Sequence, residues 1–238
     1  MHPLDSRFNR LSADTNTRTL STFMSSVYLW MVAGIGISGA TAYYVASQPH
    51  LMAYILQSKG LFFGLIIAQL VAVVALSAWV QKMSFSVAAA VYIGYATLVG
   101  LTFSVLLQVY TAQSISNAFF VTAFSFAGLS IFGYTTKRDL GPVGSFCIMG
   151  LFGMIGIMIL GFFFPSMMSN TMQLTISAVG VIVFAGLTAY DTQRIKAMQF
   201  QFSGADQAKK GAIYGALVLY LDFINLFLSL LRLMGNRR

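Results

Sequence analysis

The stretch LVLYLDFINLFLSLL, residues 217–231, decides the fold. It is apolar enough to lie in a lipid bilayer, yet Asp222 sits in its middle. On insertion scales an Asp at a helix centre costs about 2.5–3.5 kcal/mol, and each Leu, Ile, Phe or Val returns about 0.3–0.6 kcal/mol. Thirteen such residues lie between Ile213 and Leu233, so together they favour insertion by roughly 5 kcal/mol. The helix therefore enters the membrane with its acid. An intramembrane carboxylate reads as a functional site with a partner to be found. The plainer alternative is a neutral carboxylic acid hydrogen-bonded to a neighbouring helix for packing.

The rest of the chain has the same character. Of its 238 residues 58% are hydrophobic and 8% charged, and several apolar runs exceed the length of a bilayer-spanning helix. Spans are expected at 23–46, 60–80, 85–110, 118–134, 143–164, 174–190 and 212–233. The expectation is an all-α polytopic membrane protein: a flexible, polar, cytoplasmic N-terminal tail over 1–22, then one seven-helix transmembrane domain over 23–238. Pro49, Pro142 and Pro165 are expected in connections, where a missing N–H costs nothing.

The net charge of +8 does not point to nucleic acid, because the basic residues lie in loops and tails, where they orient a membrane protein. Ten Lys and Arg fall on the side of the N-terminus and four on the other side. The positive-inside rule then gives a cytoplasmic N-terminus and an external C-terminus. The basic C-terminal tail dissents, and a re-entrant last segment would place thirteen of the fourteen basic residues inside. Against that, the segment has full bilayer length and no Pro.

Little in the sequence suggests catalysis. The single cysteine, Cys147, excludes an intrachain disulfide, and His2 and His50 lack ligand spacing. There is no GxxxxGK[ST], GxSxG or HExxH motif, and no nucleophile–base set, so the chain is read as not an enzyme. No tightly bound cofactor is expected. All six acids are Asp, which makes those inside spans easy to single out.

At about 100° per residue, Gly211, Gly215, Asp222, Asn225 and Ser229 share a stripe roughly 80° wide on the last helix. Lipid cannot satisfy such groups, so the stripe faces protein or a water-filled cavity. In VIVFAGLTAYDTQRI, 181–195, Asp191 ends the sixth span, and Ser177, Gly180, Thr188 and Asp191 again share a stripe. Asp191 is either the partner of Asp222 or an interfacial residue paired with Arg194 or Lys196.

GLTAYDTQRIK at 186–196 and LYLDFINLFLSLLRLMGNRR at 219–238 resemble the signature segments of the Bax inhibitor-1 family, the transmembrane Bax inhibitor motif proteins. YTTKRDL at 134–140 and GLIIAQL at 64–70 resemble its bacterial inner-membrane branch. The resemblance implies seven helices with the C-terminal helix central, wrapped by the other six. It also implies a pH-sensitive Ca²⁺ leak governed by an aspartate pair matching Asp191 and Asp222. Some members carry an arginine latch at the cytoplasmic end of the second helix. Here that place holds Gln81, with Lys82 beside it, and Gln81 cannot neutralise a carboxylate.

Two carboxyl groups in one low-dielectric site resist double ionisation and titrate as a unit, which supplies a two-state element for a gate. They are too few for a high-affinity Ca²⁺ site, so Asp191 and Asp222 are expected to hold Ca²⁺ only weakly and transiently. Gln81, Lys82, Thr188, Asn225 and Ser229 are the polar residues expected near the gate. The function expected is a pH-regulated Ca²⁺ leak channel of the cytoplasmic membrane, interacting with lipid, Ca²⁺ and protons. The alternatives are a proton-coupled transporter and a non-transporting regulator acting on membrane-protein partners such as a membrane-bound protease.

Overall fold

The computed structural model describes residues 3–199 and 204–236. Its helices are α1 (Pro3–Ala46), α2 (Pro49–Gln57), α3 (Lys59–Trp79), α4 (Phe85–Phe103), α5 (Leu106–Val109), α6 (Ala112–Thr135), α7 (Gly141–Phe163), α8 (Asn170–Met198) and α9 (Ala205–Met234). Among the described residues there is no strand. Seven stretches are long and apolar enough to cross a membrane, and α4 and α5 together form one of them.

Local chemistry sets the helix starts. Ser58, Ser84, Thr111 and Ser169 accept hydrogen bonds from backbone N–H groups in the first turns of α3, α4, α6 and α8. Pro49 and Pro142 lie in the first turns of α2 and α7, and Pro165 opens a 3₁₀ turn, rather than standing in plain connections. A first-turn N–H has no intrahelical acceptor, so proline is tolerated there. The short α2 is an element that the sequence reading does not contain.

Two boundaries differ from expectation. Helical backbone begins at Pro3, within the segment expected as a tail, while the apolar span begins at Leu20. No Gly or Pro stands between Leu4 and Ala33, so nothing there breaks a helix continuous with the span. At the other end of the chain, α8 runs to Met198, past the expected end at Tyr190. The next Gly or Pro after Gly186 is Gly204, whose φ of +103° is a conformation that only glycine adopts freely. Asp191 is thereby an interior helical residue.

α9 is the central helix. Of its apolar window 56% is buried, against 17% for the spans of α3 and α7. Ile213, Ala216, Leu217, Leu219 and Tyr220 have no exposed surface. They pack in a core with Val27 of α1, Leu76 of α3, Tyr92 of α4 and Ile195 of α8. Between Lys210 and Ser229 only the face carrying Tyr214, Val218, Leu221, Asn225 and Leu228 is partly open. The helix is unbroken over 30 residues, about 45 Å at 1.5 Å per residue, which leaves no break for a re-entrant turn. Large apolar side chains such as Ile67, Leu70, Phe152 and Phe162 point outward from α3 and α7, as a lipid-facing surface requires.

Candidate functional site: an aspartate pair in a cavity

α8 and α9 pack closely because glycines remove side chains at two levels. A Cβ on Gly215 would lie 3.0 Å from Ile195 Cγ2 and 3.2 Å from a Val27 methyl. A Cβ on Gly180 would lie 2.6 Å from Ser229 Oγ. Asp191 and Asp222 sit between these two contacts. Both are buried, and their side chains lie within hydrogen-bonding reach of each other. A hydrogen bond between two carboxyl groups needs a proton on one of them. Oδ2 of Asp222 has no hydrogen-bond partner.

A cavity of about 590 Å³ opens beside the pair, bounded by α7, α8 and α9. Its walls are mostly apolar, with Met154, Ile155 and Leu187 among them. Its polar lining is Ser177, Asp191 and Arg194 from α8, and Asp222, Asn225, Ser229 and Arg232 from α9. The two hydroxyls turn their donors away, and Asn225 uses one of its two. Ser177 donates to the Gln173 carbonyl, Ser229 to that of Asn225, and the Asn225 amide to that of Leu221, each at 2.8 Å. Lone pairs are left for the cavity. Apart from the two arginines near its ends and one amide N–H of Asn225, its polar lining therefore presents acceptor oxygens to any occupant. Among the described residues no group of three or more His, Cys, Asp or Glu could hold a metal ion, so the site offers two carboxyl groups and a few neutral oxygens.

The segment YDTQRIK, 190–196, joins this site to the rest of the bundle, each side chain in a different direction. The Tyr190 ring fills the space beside Gly144 of α7. Thr192 shares a hydrogen bond of 3.0 Å with Ser130 of α6, and Ser130 shares one of 2.5 Å with Tyr28 of α1. Gln193 donates to the Arg138 carbonyl at 2.8 Å and accepts from the Leu140 N–H at 2.9 Å, holding the α6–α7 connection. Arg194 Nη1 stands 3.9 Å from Asp191 Oδ1. Lys196 donates to the Tyr134 carbonyl at 2.7 Å and lies over its ring.

Asp191, Asp222, Asn225 and Ser229 thus meet in one cavity. Thr188 does not join them. It is fully buried, lies outside the cavity and donates to the Phe184 carbonyl of its own helix. Gln81 and Lys82 do not join them either, being exposed on a 3₁₀ turn after α3. The Gln81 carbonyl accepts from Lys210, which also pairs with Asp206 at 3.5 Å. Lys210 precedes Asp222 by twelve residues, about 18 Å along α9. The cation beside Asp191 is Arg194, one turn away on its own helix. Arg232 is the cavity residue that sequence reasoning leaves unassigned.

Fold and site together define a polytopic helical membrane protein with a carboxyl pair held inside its bundle. Residues 20–238 match the family model described as Inhibitor of apoptosis-promoting Bax1, and the chain belongs to this Bax inhibitor-1 family of membrane proteins. It is 43% identical to the inner membrane protein YbhL of Escherichia coli K12, over 98% of this chain and 99% of that one. An uncharacterized protein of Deinococcus radiodurans is 41% identical over 95% of this chain and 96% of its own. The uncharacterized protein YrjE of Lactococcus lactis is 40% identical over the same shares.

Proposed function

We propose that the protein is a cation leak pathway of the bacterial cytoplasmic membrane, with Ca²⁺ the permeating ion and protonation of the Asp191–Asp222 pair its control. One observation carries this reading: the two aspartates are in reach of each other and line a cavity whose neutral polar groups are the oxygen-bearing Ser177, Asn225 and Ser229, both hydroxyls donating to backbone carbonyls. A carboxyl pair with hydroxyl lone pairs beside it favours a cation over an anion. Two carboxyl groups with a few neutral oxygens bind Ca²⁺ weakly, which lets an ion leave as readily as it enters. The E. coli relative, named as an inner membrane protein, supports the location.

The proton is the switch. While the pair shares one, a hydrogen bond ties α8 to α9 beside the cavity. With the proton gone, two negative charges repel across the same contact, and the helices lose that tie. Asp→Asn keeps the size, and the amide can donate to the remaining carboxylate at any pH. Purified protein in liposomes, assayed for Ca²⁺ flux across a pH series, tests this. Asp191→Asn and Asp222→Asn are each expected to flatten the pH profile. Wild-type flux that does not vary with pH, or variants that keep the wild-type profile, would sink the sensor role. Flux driven against a Ca²⁺ gradient by a pH step would mark a proton-coupled transporter instead.

A further inference from the structure

Arg232 lines the same cavity, ten residues beyond Asp222 on α9 and about 15 Å along the helix. Asp222, Asn225, Ser229 and Arg232 follow one another at spacings of three, four and three, so one strip of the helix carries three oxygen-bearing groups and then a fixed cation. At the other end Arg194 stands beside Asp191, whereas Arg232 is exposed and forms no ion pair among the described residues. A guanidinium stays charged at any pH the protein meets. The far end of the cavity is thus held positive.

We infer that Arg232 is an electrostatic barrier that limits cation passage and weighs more heavily on divalent than on monovalent ions. This rests on the cation-leak reading of the same cavity. A cation entering or leaving at that end must pass the guanidinium, and within a screening length of an exposed charge the repulsion is weakened by water but not erased. Its energy doubles when the ion's charge doubles, so the rate factor for Ca²⁺ is the square of that for K⁺. The barrier keeps the leak slow while leaving the oxygen groups free to select cations over anions. An arginine in a last turn also complements the helix dipole and can reach lipid headgroups. Those roles stabilise the helix end, but they do not distinguish one permeating cation from another.

The test is flux of Ca²⁺ and of K⁺ through the full-length protein in liposomes, at a pH where the wild type leaks. R232Q removes the charge at an exposed position, and R232K keeps it with a different shape. R232Q is expected to raise K⁺ flux about threefold and Ca²⁺ flux about ninefold, because the exponent doubles with ion charge. R232K is expected to stay near wild type. Raising an impermeant salt from about 0.01 M to about 1 M shortens the screening length from about 30 Å to about 3 Å, and the R232Q effect should shrink accordingly. An equal rise for both ions, a rise shared by R232K, or no change in R232Q overturns the barrier while leaving the leak reading intact. If neither wild type nor R232Q passes any cation at any pH, the leak reading fails and the barrier fails with it.

Discussion

At the residue scale, the site is a set of side chains that acquire meaning only together. Asp222 alone is a buried acid with one oxygen unpartnered, and Asp191 alone is an acid next to an arginine on its own helix. On the proposed reading they form one titrating unit, and units of this kind are non-additive. The Asp191→Asn/Asp222→Asn double variant is therefore expected to match either single variant in its flux–pH profile. Profiles that shift by independent, additive amounts would mean two separate sites. Gly215 offers a test of packing rather than charge. Ile195 and Val27 stand closer to its missing Cβ than ordinary van der Waals contact, so Gly215→Leu adds four carbons where there is no room. Overpacking of this sort costs about 1–3 kcal/mol, and the variant should show a lower thermal midpoint in detergent. An unchanged midpoint would mean that α8, α9 and α1 do not meet there as closely as described.

At the scale of elements, α8 is the coupling helix. Its last turns touch α6, α7, α9 and the α6–α7 connection through consecutive residues, so movement at Asp191 cannot stay local. Gln193→Ala removes two hydrogen bonds to the Arg138–Leu140 segment. Each such bond contributes about 0.5–1.5 kcal/mol. The expected outcome is a loss of about 1–3 kcal/mol by the same scale, with faster proteolysis between Thr136 and Gly141; a connection that resists protease as before would mean the clamp does not hold it. Much of this helix is legible in sequence. The stripe through Ser177, Gly180 and Asp191 follows from a helical period, and so does the one through Asp222, Asn225 and Ser229. What periodicity cannot give is which edge of a stripe meets a cavity and which meets a neighbour. Thr188, about 60° from Asp191, is turned into protein for that reason. Nor does sequence proximity show that the end of α3 reaches α9 twelve residues before Asp222, which is why Gln81 reads as adjacent to the aspartate pair and lies apart from it. Arg232 goes unread because a basic residue near a helix end looks the same whether it faces headgroups or a cavity.

At the scale of the whole molecule, the bundle sorts its charges by end. Lys210 reaches the Gln81 carbonyl, Lys196 reaches that of Tyr134, and Gln193 holds Arg138. These contacts bring the ends of α3, α6 and α8 and the starts of α7 and α9 to one side of the bundle. Lys82, Lys137, Arg138, Arg194, Lys196, Lys209 and Lys210 therefore share one end through tertiary contacts, not only through the counting of spans. Arg232 stands at the other end, separated from Lys209 and Lys210 by the length of α9. Positive residues are retained on the cytoplasmic side during insertion, so that crowded end is expected in the cytoplasm, together with the N-terminus. An odd number of spans then places the C-terminus outside. A reporter fused after Arg238 that is active only in the periplasm should be active, and one that is active only in the cytoplasm should be silent. The reverse result would put both ends of the chain on one side. It would require α9 to turn back within the membrane, although its 30 residues form one unbroken helix. Such an outcome would remove the central helix on which the placement of Asp222 depends.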